Sequence, residues 1–252
     1  MRALVHAVGD RLAQCELTFV GRTPIDVARA RAQHAAYCRE LRACGVEVRV
    51  LDVSPDQPDA TFLEDAAVVL DEVAIAASMG TAARRAEVDN LVPVLAELRP
   101  VLRLAPPATL EGGDVLRLGK TMWVGLSPRT NLAGVEAFAG LVAPYGYRVL
   151  PVQVDGCLHL KTACTALDDE TLLANRAWVQ DLPLAGRRCV DVAEGEPFAA
   201  NVLRAGVTLL ASASHPRTLA RIDAAGHDVR PIELDELEKA EAGATCLSIL
   251  LR

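Results

Sequence analysis

Four short stretches of the chain set carboxylates, a histidine and a cysteine among small and apolar residues. Asp59-Ala60-Thr61-Phe62-Leu63-Glu64-Asp65 runs into an apolar segment. Neighbouring carboxylates at the start of a strand point to opposite faces, so the pair reads as a solvated turn or as a grip on a cation at the mouth of a sheet. Leu110-Glu111-Gly112-Gly113-Asp114 precedes a second apolar segment. Its two glycines allow a sharp turn and a close approach, so the acids flank either a hairpin entry or a constriction. In Leu158-His159-Leu160-Lys161-Thr162-Ala163-Cys164 the histidine alternates with two leucines. On a strand it faces away from them, with Lys161 on its own side, as a structural histidine or an acid–base group. Cys246 lies in Glu241-Ala242-Gly243-Ala244-Thr245-Cys246-Leu247-Ser248. A cysteine there is a small core residue or, once a histidine and a carboxylate are folded onto it, a nucleophile reacting as the thiolate. Distance along the chain is no obstacle, because catalytic groups assemble in space.

The elements that must position these stretches alternate between short apolar strands and amphipathic helices. Strands are expected over residues 3–8, 46–53, 66–77, 115–124, 148–154, 171–174, 207–211, 229–234 and 246–251. Helices are expected over 25–43, 86–98, 130–143 and 217–225, the first opened by Thr23-Pro24 as cap and first helical residue. Gly45, Gly146 and Gly226 each follow a helix and precede a strand with valine three residues on or sooner, as left-handed C-caps do. A fourth helix-to-strand step, over 97–104, lies about midway between the first two and lacks the glycine. The spacing gives a period of roughly 50 residues and about five α/β units, although glycine after a helix is common in any α/β protein.

Composition narrows the class. Apolar residues make up 51% and aromatics only 4%, which excludes a disordered chain and calls for an aliphatic core. The net charge is −7 and the bases are not clustered, which argues against nucleic acid as a partner. No apolar run reaches the length of a membrane span, and MRALVHAVGD lacks the apolar region of a signal peptide. Seven scattered cysteines without CxxC pairs read as reduced thiols of a cytoplasmic protein. No linker divides the chain, so one domain over 1–252 is expected.

The four stretches, in this order, resemble the dimethylarginine dimethylaminohydrolases, or dimethylargininases, of the guanidino-group-modifying (pentein) superfamily. Arg84-Arg85, the segment Val124-Gly125-Leu126-Ser127-Pro128-Arg129-Thr130-Asn131, Ala199-Ala200-Asn201 and residues 236–248 carry the resemblance along nearly the whole chain. It implies a five-bladed, pseudo-symmetric α/β propeller. It implies Cys246 as nucleophile, His159 as general acid/base and Glu111 as the acid paired with that histidine. Asp65 with Glu64 matches the guanidinium-binding pair, and Arg84 and Arg129 match the holders of the substrate carboxylate. Asp59, Leu17 and Ala240 match positions near the substrate amino group. Glu241 stands there too, where many members have Asp, and its extra methylene departs from the family pattern.

The reaction implied is hydrolysis of free asymmetric dimethylarginine or monomethylarginine to citrulline and the amine, through a thiouronium on Cys246. The guanidinium serves as its own electron sink, so no cofactor or metal is expected, and zinc is expected only as an inhibitor on His159, Glu111 and Cys246. Arginine deiminase and amidinotransferase chemistry use the same residues, but the deiminases usually carry an inserted helical domain for which this chain has no room. A non-catalytic propeller that binds a macromolecule is the alternative of another class. A small-molecule substrate, no nucleic acid or membrane partner, and a possible homodimer complete the expectations.

Overall fold

A computed structural model of the chain describes residues 1–179, 182–184 and 186–251. Its strands form five three-stranded sheets. The first contains β1 (Arg2–His6) and β2 (Glu47–Leu51), the second β3 (Ala67–Val69), β4 (Ala74–Ala76) and β5 (Val101–Arg103). The third contains β6 (Val115–Leu118), β7 (Thr121–Leu126) and β8 (Arg148–Gln153), the fourth β9 (Cys164–Ala166), β10 (Thr171–Ala174) and β11 (Arg188–Asp191). The fifth contains β12 (Leu203–Ala205), β13 (Thr208–Ser212) and β14 (Val229–Ile232), and β15 (Ile249–Leu251) returns to complete the first. In every sheet the central strand pairs antiparallel on one side and parallel on the other. Helices α1 (Val27–Ala43), α2 (Arg85–Ala96), α3 (Leu132–Val142) and α5 (Pro216–Ala224) make four of the parallel crossovers, which need a connection of a dozen residues or so. The β10–β11 crossover has no helix among the described residues.

Side-chain alternation on the central strands closes these units into a ring. On β1, Ala3 and Val5 pack with Tyr37 and Leu41 of α1, whereas Leu4 joins the cluster around Leu91 and Leu95 of α2. On β4, Ala74 and Ala76 face α2 and Ile75 joins Val135 and Phe138 of α3. Met122 and Val124 of β7 face α3, while Trp123 packs on Leu172 of the fourth unit. Leu173 of β10 crosses to Leu209 and Ile222 of the fifth unit, and Leu210 of β13 crosses to the first. The architecture is a five-fold pseudo-symmetric α/β propeller.

Several expected elements are corrected. The runs 66–77 and 115–124 each form a hairpin, turning where Leu70 N–H bonds Val73 O and where Gly119 adopts φ +65°. The first helix begins at Val27 because the Asp26 side chain accepts the Arg29 N–H, and Pro24 lies outside it. Only Ile249–Leu251 of the last run is extended; Cys246 sits in a turn closed by Ser248 N–H on Thr245 O. His159 is not on a strand but caps the short helix α4 (Leu160–Ala163). The short strands β9, β11 and β12 were not expected, because three or four residues leave too little alternation to read. Gly45, Gly146 and Gly226 do end helical segments, with φ of +78°, +78° and +91°.

The bridging side chains should dominate stability. Trp123→Ala is expected to cost about 3–5 kcal/mol in a urea titration. Val207→Ala, at a side chain 90% exposed, should stay within about 0.5 kcal/mol. Equal costs would refute the ring-bridging account.

Candidate active site

The repeat supplies one polar segment per unit, each just before that unit's first antiparallel strand. A turn over Leu63–Ala66 precedes β3, another over Gly112–Asp114 precedes β6, and α4 precedes β9. Asn201 lies just before β12 and Cys246 just before β15. Pseudo-symmetry therefore converges segments that are scattered in sequence.

Glycine makes the convergence possible. A Cβ on Gly112 would lie 2.0 Å from the Glu64 carbonyl oxygen, and one on Gly113 would lie 2.7 Å from both Asp65 Oδ1 and His159 Nδ1. The Glu64 N–H, in turn, donates to the Cys246 carbonyl at 3.2 Å, tying the two turns together.

A narrow cavity is lined by Glu16, Asp59, Asp65, Arg84, Arg129, His159, Ala240, Glu241 and Cys246, together with Phe62, Leu158 and Ala242. Its approximately 20 Å³ open to a water-sized sphere holds little more than one water. A larger groove beside α1, lined by Arg31, His34 and Cys38, lies apart from these residues. His159 Nε2 is 2.8 Å from Glu111 Oε2, and His159 Nδ1 is 3.8 Å from Asp65 Oδ1. Burial opposes charge on the ring, but Asp65, Asp114 and Glu111 outweigh it and push the His159 pKa up to about 9. Asp65 Oδ2 accepts from Arg84 Nη1 at 2.7 Å, whereas its buried Oδ1 has no hydrogen-bond partner. Burial would raise the Asp65 pKa, yet His159 and then Arg84 bring it below the usual carboxylate value. Cys246 Sγ is 3.4 Å from the Gly243 N–H and 3.7 Å from Asn201 Nδ2. Burial, then Glu64 and Asp65, push its pKa up to about 12, so the thiol keeps its proton.

The remaining expected residues divide. Asp59 is buried and accepts the Glu16 N–H; burial raises its pKa, with Arg84 opposing. Arg129 reaches Thr18 Oγ1 at 3.1 Å and stands 3.8 Å from Glu111. Arg84 is more committed than expected of a carboxylate ligand. It bonds Asp65, Glu87 and the carbonyls of Asp59 and Phe62, all buried. Glu64 does not line the cavity. Its oxygens accept from Lys161 Nζ at 2.5 Å and Thr245 Oγ1 at 2.6 Å, behind the site. Leu17 is half-buried in the loop above the cavity and does not line it. The Glu241 carboxylate, in a residue at φ +60°, accepts the consecutive N–H groups of Thr18, Phe19 and Val20. It therefore fastens that loop across the site instead of standing open to an ammonium. The expected zinc trio also changes: ligand atoms of Asp65, Glu111 and His159 lie within 4.8 Å of one another, and Cys246 is not in that group. Sequence reasoning missed Glu87, Thr18 and the approach of Asn201 to Sγ, none of which has a local signature.

Two measurements test this geometry. Gly113→Ala should lower turnover about 10²-fold, because a displacement near 1 Å of the imidazole is enough, while thermal unfolding remains cooperative. Full activity would mean that the glycine is not needed for the approach. Glu241→Ala should free the loop, read as faster amide exchange at Thr18–Val20; unchanged protection would exclude the fastening role.

Comparisons with known proteins agree with the geometry. The family model for eukaryotic N,N dimethylarginine dimethylhydrolase matches residues 22–169. An N(G),N(G)-dimethylarginine dimethylaminohydrolase of Streptomyces coelicolor is 40% identical over 252 residues, covering 100% of this chain and 97% of the relative. The Pseudomonas aeruginosa protein of that name is 30% identical over 226 residues, 89% of each chain. The solved structure of a cysteine-to-serine variant of the P. aeruginosa enzyme, complexed with citrulline, superposes with a TM-score of 0.93 at 27% identity, covering 98% of both chains. By sequence and by fold, the chain belongs to the dimethylarginine dimethylaminohydrolase family.

Proposed function

We propose that this protein hydrolyses free N-omega-methylated arginine to citrulline and methylamine or dimethylamine. The observation that carries the reading is the buried Asp65 Oδ1, which has no hydrogen-bond partner and only the His159 ring at 3.8 Å, in a cavity shared with His159, itself bonded to Glu111, and with the Cys246 thiol. An orphaned acceptor inside a protein is costly unless a donor arrives, and a guanidinium N–H is such a donor.

In this reading Asp65, backed by Glu64, holds the substrate guanidinium. Its positive charge offsets Glu64 and Asp65, which add to burial in holding the proton on Sγ, so the thiol pKa falls as substrate binds and the proton passes to solvent. The Cys246 thiolate attacks the central guanidinium carbon, and His159 gives a proton to the departing amine as the C–N bond breaks. The thiouronium left on Sγ is attacked by water, with His159 taking the proton; the C–S bond breaks, citrulline leaves and the thiol is restored. Glu111 orients the ring. Arg129 receives the substrate carboxylate, with Arg84 contributing only the Nη1 N–H that Asp65 leaves over, and Asp59 with the Leu17 and Ala240 carbonyls takes the amino group. Glu241 acts there through the loop it fastens. Residues 1–252 act as one catalytic domain, need no metal or cofactor, and work in the cytoplasm on a small molecule, as a possible homodimer, with no nucleic-acid or membrane partner. Among the described residues no helix is long and apolar enough to cross a membrane. Zinc inhibits by occupying Asp65, Glu111 and His159, whose ligand types suit it.

Citrulline release from asymmetric dimethylarginine, monomethylarginine and arginine, measured side by side, tests the reading. The methylated substrates should be turned over and Cys246→Ser should be inactive; preference for arginine would point to deiminase chemistry. At pH 7 a haloacetamidine cation should alkylate Cys246 much faster than neutral iodoacetamide, and Asp65→Asn should erase the difference. Equal rates in the parent protein would refute substrate-assisted loss of the thiol proton. Added zinc should stop turnover and a chelator restore it; a requirement for zinc would overturn the metal-free route.

A further inference from the structure

Asp114 is fully buried at the end of the turn that begins after Glu111. Its Oδ1 accepts the Leu160 N–H at 2.8 Å, the peptide that follows His159. Its Oδ2 accepts from Ser127 Oγ and Thr130 Oγ1, both at 2.6 Å. The direction of these bonds is fixed by the rest of the network. Ser127 Oγ accepts the N–H groups of Arg129 at 3.1 Å and Thr130 at 3.2 Å, so both lone pairs are engaged and its proton goes to Asp114. Thr130 Oγ1 accepts the Glu111 N–H at 3.2 Å and likewise donates to Asp114. Three donors converge on the carboxylate, an arrangement that suits the anion and suits neither a neutral acid nor an amide. Space is reserved for it: a Cβ on Gly125 would lie 2.4 Å from Oδ1.

We propose that Asp114 is the positioning residue of the acid–base pair, setting His159 through the Leu160 peptide and Glu111 through Thr130. The proposal rests on the acid–base role given to His159 above. Several charged groups face that ring. Glu111 is bonded to it, Asp65 approaches from the turn before β3 with Arg84 on its far oxygen, and Arg129 stands beside Glu111. Lys161 follows on α4, and Cys246 shares the cavity. Burial raises the Asp114 pKa, while His159, Ser127, Thr130 and the Leu160 N–H act against it.

Asp114→Asn keeps the shape and removes the charge. Its kcat should fall about 10²-fold with KM within about threefold, since the substrate contacts are untouched. The His159 pKa, followed by the NMR titration of its ring protons, should drop by about one unit or more, and the basic limb of the kcat profile should move down with it. A lower kcat with an unchanged His159 titration and pH profile would reduce Asp114 to a structural residue and overturn the proposal, as would an unchanged kcat. Thr130→Val removes one donor and leaves the carboxylate in place, so it serves if the Asn variant does not fold. It should lower kcat about tenfold, on the order of the worth of one hydrogen bond, and parent-like turnover would overturn the proposal. His159→Ala is measured alongside. Near-normal turnover in that variant defeats the acid–base reading itself; loss of turnover there, with a parent-like pH profile in Asp114→Asn, defeats only the inference about Asp114.

Discussion

One buried side chain per central strand makes the ring a ring. Leu4, Ile75, Trp123, Leu173 and Leu210 each leave their own unit and pack into the next. A strand exposes alternate faces, so a three-stranded sheet cannot be satisfied by its own helix alone. The other face must be covered by a neighbour, and five such dependencies close on themselves. The distances among Asp65, Glu111, His159 and Cys246 depend on that closure, because the four residues come from different units and no local element holds them together.

The ring gathers more buried acids than cations. Asp59, Glu64, Asp65, Glu87, Glu111 and Asp114 are buried near Arg84, Arg129, His159 and Lys161. Glu87 shows the pressure: burial drives its pKa up to about 7 despite the adjoining Arg84. Carboxylates in a low-dielectric interior raise the proton affinity of the groups nearby, so Asp65, Asp114 and Glu111 charge the imidazole against its burial, while Glu64 and Asp65 add to the burial that keeps the proton on the thiol. The same excess of acids suits a cavity that is to receive a cation, which is the reading proposed above for Asp65 and Cys246. Repeating the polar turn before each hairpin is the structural means of placing those charges at one point.

The sequence made the repeat and the main residues legible for identifiable reasons. Glycine C-caps at Gly45, Gly146 and Gly226 carry a conformational requirement that any reader can apply, and long apolar runs disclose central strands. Hairpins inside runs 66–77 and 115–124 stayed hidden because their turns are short and interrupt little hydrophobicity. The motif order pointed to Cys246, His159 and Glu111, but it could not say what Arg84, Glu64 or Glu241 touch. Those partners are chosen by three-dimensional proximity: Arg84 is filled by Asp65 and Glu87, Glu64 by Lys161 and Thr245, and Glu241 by amides more than 200 residues away. Side chain-to-backbone bonds of that reach leave no periodic trace in a sequence.

The first sheet is assembled from distant parts of the chain: β15 pairs antiparallel with β1, three residues after Cys246. During translation, a nascent chain that has reached Ala240 has already made both strands of four consecutive hairpins, yet β1 still has one edge open and no thiol stands at the centre. Domains fold as they emerge, and an open edge invites pairing with the wrong strand, so the segment that seals this edge is also the one that brings Cys246 to the cavity. A partly made ring with that edge open is therefore a misfolding hazard, and its cavity still lacks Cys246. The docking event that removes the exposed edge is the same one that completes the cavity Cys246 shares with His159 and Asp65.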